Sequence, residues 1–164
     1  MLGIYQTSLL LLTIMIIIYI INLYYLDWKL NTLEKKKQFI NNVLGTVLLF
    51  LGIIKLYNLT SFVSTFNKYD LIASNIPFYG YIYPFLEIIL GILFLKQSNI
   101  KSLYIFTIIF IGINILGVIN GLQSKYKLKC GCMGSFIDLP LSYLTIIENL
   151  FILIKTIILL KLTN

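Results

Sequence analysis

The sequence contains no histidine, no arginine and only six acidic residues. Without histidine, the chain lacks the usual general base, the commonest zinc or haem ligand and the usual pH switch. A closed zinc site requires four good ligands, and the two cysteines of this chain supply only half of them, so no metal site is predicted. Any chemistry must therefore come from the cysteines, the carboxylates, the lysines or the tyrosines.

Charge is scarce throughout the chain. Only 12% of the residues are charged, 59% are hydrophobic, and the mean hydropathy is +0.94. Because soluble domains contain about a quarter charged residues, we expect the surface of this protein to contact a lipid bilayer. The net charge of +7 comes from lysines that lie mostly between apolar runs. That placement is typical of the flanks of membrane helices and predicts no nucleic-acid partner.

Five apolar runs each approach the ~20 residues that cross a bilayer as a helix. The fold class predicted is therefore all-α, a polytopic membrane protein with a four-helix transmembrane bundle over residues 39–164. One extra N-terminal transmembrane helix and a cytoplasmic loop precede the bundle, over residues 1–38. The first run has no basic segment before it and no small-residue cleavage site, so it is expected to be retained. The runs are Tyr5–Leu26, Phe39–Tyr57, Ile76–Leu95, Leu103–Leu122 and Leu141–Leu160.

The lysines in the short connections predict the orientation of the bundle. If the runs alternate in direction, one side of the membrane receives seven lysines and the other side four. The positive-inside rule then predicts that the side with seven lysines is the cytoplasmic side. We expect a multi-pass protein of the inner membrane. Its N-terminus and fourth loop would lie outside, and its C-terminus in the cytoplasm. The larger set is Lys29, Lys35, Lys36, Lys37, Lys96, Lys101 and Lys161, and the smaller is Lys68, Lys125, Lys127 and Lys129.

Small and polar residues recur at helical spacing along the last four runs. Such stripes favour close helix contacts in a membrane, where burial of apolar surface does not drive association. They predict a compact four-helix bundle, with the first helix at its periphery. The stripes are Asn41, Gly45, Gly52 and Lys55; Gly80, Pro84, Glu87 and Gly91; Asn114, Gly117 and Gly121; and Ser142, Thr145, Asn149 and Thr156.

Glu87 is predicted to lie near the middle of the third run, where an ionised carboxylate is costly and usually faces inward. Lys55, near the outer end of the second run, is within reach of it, and together they form a candidate intramembrane polar site. A functional site, a structural ion pair and a protonated Glu87 that is hydrogen-bonded between helices all remain open at this stage. Glu148 and Lys155 in the last run raise the same question.

Three rings in the second connection, Phe62, Phe66 and Tyr69, follow one another at spacings of four and three residues. That spacing predicts an amphipathic turn or short helix. We expect it to lie in the outer membrane interface beside the bundle.

The segment Cys130-Gly131-Cys132 lies in the fourth loop, just before the last run. Gly131 permits a tight turn, and the strained disulfide of so small a ring is easily reduced, which suits a redox pair. Lys127 and Lys129 would stabilise a thiolate. Two alternatives remain open: inert cysteines, and a copper(I) site that includes Met133.

The order of these features resembles the MauE family of methylamine-utilisation membrane proteins, within the wider DoxX-like group. The Cys-Gly-Cys-Met-Gly segment is similar to the family's Cys-Gly-Cys-Phe-Gly, with Met133 in place of the aromatic residue. Glu148 stands where a basic residue often precedes Asn149. The other matching features are Gly52-Ile53-Ile54-Lys55-Leu56, the rings of Phe62, Phe66 and Tyr69, Pro84-Phe85-Leu86-Glu87-Ile88-Ile89-Leu90-Gly91, and Ser142.

The resemblance implies a role in disulfide formation outside the cytoplasm, beside a thioredoxin-like protein. The leading hypothesis is a thiol–disulfide oxidoreductase component in which Cys130 and Cys132 are the catalytic pair. A membrane quinone is the natural candidate for a second electron carrier, with Glu87, Lys55 and tyrosines as its polar contacts. The alternative is a non-catalytic membrane subunit or assembly factor in which the cysteines form a structural clip. A small transporter is disfavoured because the sequence has no inverted repeat.

Overall fold

The computed structural model describes residues 32–97, 100–123 and 143–163, together with isolated positions 13, 17, 18 and 20. The ordered elements within these ranges are five α-helices, and no strand occurs among them, which confirms the all-α prediction. The predicted first run, Tyr5–Leu26, lies almost entirely outside the described residues. The helices are α1 (Thr32–Tyr57), α2 (Leu59–Phe66), α3 (Tyr79–Leu95), α4 (Lys101–Gln123) and α5 (Tyr143–Thr163).

Two of the helices, α1 with 26 residues and α4 with 23, are long and apolar enough to cross a membrane, and α3 is a shorter apolar helix of 17 residues. Their outer faces carry isoleucines that are more than half exposed, among them Ile53, Ile89 and Ile109. Large apolar side chains exposed in this number are suited to contact with lipid. The apolar helices therefore indicate a membrane protein, while the number of spans stays a prediction.

The helix α1 begins at Thr32 rather than at Phe39, where the apolar run begins. The additional turns contain Glu34 and Lys35, Lys36 and Lys37, which are good helix formers. The helix consequently continues through residues 38 and 39, the predicted boundary between the N-terminal segment and the four-helix bundle. Its basic N-terminal turns extend beyond the apolar stretch.

The aromatic segment of the second connection is a short helix, as its spacing predicts, and its position at the membrane interface stays a prediction. It forms α2, capped by Asn58, whose side chain accepts a hydrogen bond from the backbone N–H of Ser61 at 3.3 Å. The rings of Phe62, Phe66 and Tyr69 are buried. The helix α2 folds back against α1 and α3, so the bundle covers its apolar face.

The predicted small-residue stripes form the closest helix contact, between α1 and α3. A Cβ atom added to Gly45 would lie 2.8 Å from the backbone oxygen of Gly91, and one added to Gly52 would lie 2.9 Å from the oxygen of Pro84. Only glycine permits the two backbones to approach this closely. The contact fixes the antiparallel register of α1 and α3.

This contact predicts that Gly45→Ala destabilises the protein, whereas Gly112→Ala does not. The methyl group at position 45 meets backbone that cannot move cheaply, but one at position 112 meets nothing within 4 Å. We expect Gly45→Ala to lower the free energy of unfolding by about 1–3 kcal/mol. Gly112→Ala should be neutral or stabilising by up to about 1 kcal/mol, because alanine favours the helix. Unfolding in detergent micelles, followed by circular dichroism, measures the stability of both variants. A Gly45→Ala variant as stable as Gly112→Ala would refute the close approach of the α1 and α3 backbones.

Candidate functional site

The candidate site is built around an ion pair between α1 and α3. The Nζ atom of Lys55 lies 2.5 Å from the Oε1 atom of Glu87, and the two residues are 5% and 2% exposed. Cα–Cβ bonds tilt toward the N-terminus of their own helix. Because α1 and α3 are antiparallel, these two side chains lean toward each other along the bundle.

Aromatic rings surround the ammonium group of Lys55. Its Nζ atom lies 5.1 Å from the ring centroid of Tyr83 and 5.8 Å from that of Phe62. These distances are within the range of cation–π attraction. The rings therefore stabilise the positive charge and separate it from lipid and bulk water.

Tyr83 connects the ion pair to α4. Its hydroxyl accepts a hydrogen bond of 2.8 Å from the side-chain amide of Asn114. Its ring stacks on that of Phe110 at 4.8 Å between centroids and contacts that of Phe66 at 4.6 Å. The amide donates in this bond, so the Tyr83 hydroxyl is the acceptor and α4 is joined to α3 beside the ion pair.

A second carboxylate, that of Glu148, belongs to the same site. It is only 9% exposed and lines the same cavity as Lys55 and Glu87, with which it interacts electrostatically. From its position near the start of the last run, a role in the site is a weaker prediction for Glu148 than for Glu87. Lys155, predicted alongside it, lies elsewhere, with its Nζ atom 5.6 Å from the ring centroid of Phe151.

The cavity between these side chains is small. It has room for a water-sized molecule, and the Oε2 atom of Glu87 is buried beside it without a hydrogen-bond partner among the described residues. A quinone ring does not fit in this space. We therefore assign no step to a quinone at Lys55 and Glu87.

Asp70, in the connection between α2 and α3, is a buried carboxylate that sequence reasoning missed. Its Oδ1 atom accepts hydrogen bonds of 2.9 Å from the backbone N–H groups of Ile72 and Ala73. Burial raises the pKa of this carboxyl, and the two N–H groups oppose that shift. The turn packs closely against Gly117 of α4, so Asp70 shapes the connection and lies outside the ion-pair cavity. An aspartate two or three residues before the amides that it binds is a common turn signal.

The other predicted site residues, Cys130 and Cys132, lie outside the described residues, as does Ser142. The described chain ends at Gln123 of α4 and resumes at Tyr143 of α5, and these two helices pack against each other.

Taken together, the apolar helices and the buried site define a helical membrane protein with an acid–base cluster inside its bundle. The sequence model of the family described as methylamine utilisation protein MauE matches residues 34–162. The chain therefore belongs to the MauE family, which confirms the resemblance seen in its sequence. No curated protein and no solved structure matches it.

The site predicts that Lys55→Met destabilises the protein, because it leaves the carboxylate of Glu87 buried without its partner. Removal of one member of a buried ion pair costs about 3–5 kcal/mol. The double variant Lys55→Met/Glu87→Leu should recover most of that loss. Lys96→Met, at an exposed lysine, is the matched control and should be neutral. The free energy of unfolding in micelles measures all three, and a Lys55→Met variant as stable as the wild type would contradict the pairing.

Proposed function

We propose that this MauE-family protein is a membrane thiol–disulfide redox component that acts through Cys130 and Cys132. The observation that carries the proposal is the family match over residues 34–162, a range that contains both cysteines and the whole polar site. The redox partner is a thioredoxin-like protein or a client with its own cysteines. The chemistry takes place outside the cytoplasm, the side that the lysine distribution assigns to this loop.

The exchange itself balances without a further reactant. In the oxidising direction, a client thiolate attacks the Cys130–Cys132 disulfide, which breaks that bond and forms a mixed disulfide. A second client thiolate attacks the mixed disulfide, releases the cysteine of this protein and closes the client disulfide. The client loses two electrons, the Cys130/Cys132 pair gains them, and the protons of the client thiols pass to the released thiolates. The same steps in reverse reoxidise the pair with a partner disulfide.

The topology supports this placement of the chemistry. Residues 124–142, which include both cysteines, connect the end of α4 with the start of α5. Glu148 lies five residues into α5, about 8 Å along the axis at 1.5 Å per residue. The connection therefore leaves and rejoins the bundle at the end where the polar site lies. In the proposed topology, that end of the bundle lies at a membrane surface, within reach of a partner protein.

The proposal predicts a covalent trap. In the step that reoxidises the pair, one cysteine attacks the partner disulfide and the other resolves the mixed disulfide. Replacing the resolving cysteine with serine therefore leaves an adduct with the partner that this protein cannot release. We expect either Cys132→Ser or Cys130→Ser, each expressed alone, to give a reducible adduct on non-reducing gels after acid quenching. The neighbouring Lys127 and Lys129 favour Cys130 as the attacking residue, which points to Cys132→Ser as the trapping variant.

The double serine variant is the control for the trap and should lose both the adduct and activity. Absence of an adduct from both single variants, together with continued client oxidation by the double variant, would refute the proposal. That result would favour the alternative, in which the cysteines form a structural clip in a non-catalytic subunit.

The orientation makes a separate prediction. A membrane-impermeant maleimide should label Cys130 and Cys132 in intact, reduced cells, because the loop lies outside. These are the only two cysteines of the chain, so the double serine variant sets the background. Labelling that appears only after the membrane is permeabilised would place the loop in the cytoplasm and overturn the proposed orientation.

A further inference from the structure

The polar cavity contains more negative than positive groups. Glu87 and Glu148 supply two carboxylates, and Lys55 supplies one ammonium. Lys55 is the single cation among the described residues that line the cavity. If both carboxylates were ionised, the described residues that line the cavity would together carry a net charge of one negative unit.

The groups that face the site from each helix do not offset that charge. The helix α1 contributes Lys55, and α2 with the turn after it contributes aromatic rings, including that of Tyr69. The helix α3 contributes Tyr83 and Glu87, α4 contributes Asn114, and α5 contributes Glu148 and Asn149. The tyrosines and amides are uncharged near neutral pH.

A buried charge without a partner is so costly that the group usually takes up a proton instead. Two carboxylates in one site likewise do not both ionise readily. A second observation points to the same ligand: the Oε2 atom of Glu87, in a residue that is 2% exposed, has no hydrogen-bond partner among the described residues. A carboxylate oxygen in this position can accept a proton directly or through a water molecule in the cavity.

We propose that Lys55, Glu87 and Glu148 form a buried site that binds one exchangeable proton. The lysine ammonium balances one carboxylate, and the proton neutralises the other. A sodium ion would have to lie beside the ammonium that already bonds Glu87, so the site favours a proton over a metal cation. This inference does not depend on the redox role of the cysteines, and it assigns the cluster a ligand of its own.

The test is infrared difference spectroscopy of the purified protein in nanodiscs, with H₂O exchanged for D₂O. A protonated carboxyl has a carbonyl band that shifts on deuteration, and the wild type should show this band at neutral pH. Glu148→Gln should abolish it, because Lys55 and Glu87 are then balanced. Glu87→Gln should also abolish it, because Lys55 then pairs with Glu148. Lys55→Met should increase the band about twofold, since two carboxylates then remain without a cation.

The Gln variants match glutamate in size, and circular dichroism checks that every variant keeps its helix content. Glu34→Gln, at an exposed carboxylate, should leave the band unchanged. The Asp70→Asn variant measures how much the buried carboxyl of Asp70 contributes to the carbonyl band. That contribution is subtracted from the band of the wild type. A wild type without the band would overturn the proposal. A Glu87→Gln variant that keeps the band, or a Lys55→Met variant in which it does not increase, would show that the groups do not share one proton, and would overturn it as well.

Discussion

The bond between Lys55 and Glu87 is the interaction around which the described bundle is organised. A lysine and a glutamate inside an apolar bundle stabilise each other, because either group ionised alone would carry an uncompensated buried charge. The close backbone contact at Gly45–Gly91 and Gly52–Pro84 brings α1 and α3 together in the register that permits the bond. The glycines and the charges therefore act as one constraint on how these two helices pack.

The aromatic cluster encloses the charged groups at the end of the bundle near α2. Phe62, Phe66 and Tyr83 contact one another, and the hydrogen bond from Asn114 to Tyr83 joins α4 to the cluster. These rings separate the ion pair from lipid and bulk water and lower the local dielectric constant, which strengthens the attraction between its charges. The short helix α2 is consequently part of the site and not a peripheral connection.

The cysteines and the buried cluster are best understood as two separate features of one membrane protein. The proposed thiol exchange takes place in the connection between α4 and α5. The proposed proton site lies inside the bundle, where only small species can enter. The residues matched by the MauE family model include both the cysteines and the buried cluster. The small cavity gives no support to quinone binding at the ion pair.

Sequence alone determined the helical class, the apolar runs and the inward stripes, because lipid exposure and close helix contact each leave a periodic pattern. It also indicated that Lys55 reaches Glu87, since both lie on such stripes. Only the tertiary structure decided that Phe62, Phe66 and Tyr69 cover this pair, because an amphipathic segment has the same pattern whether bundle or membrane covers its apolar face. The burial of Glu148 was likewise decided only by the tertiary structure. Its position near a helix end carries no signal of burial, and the packing of α5 against α1 and α4 places its carboxylate beside the ion pair.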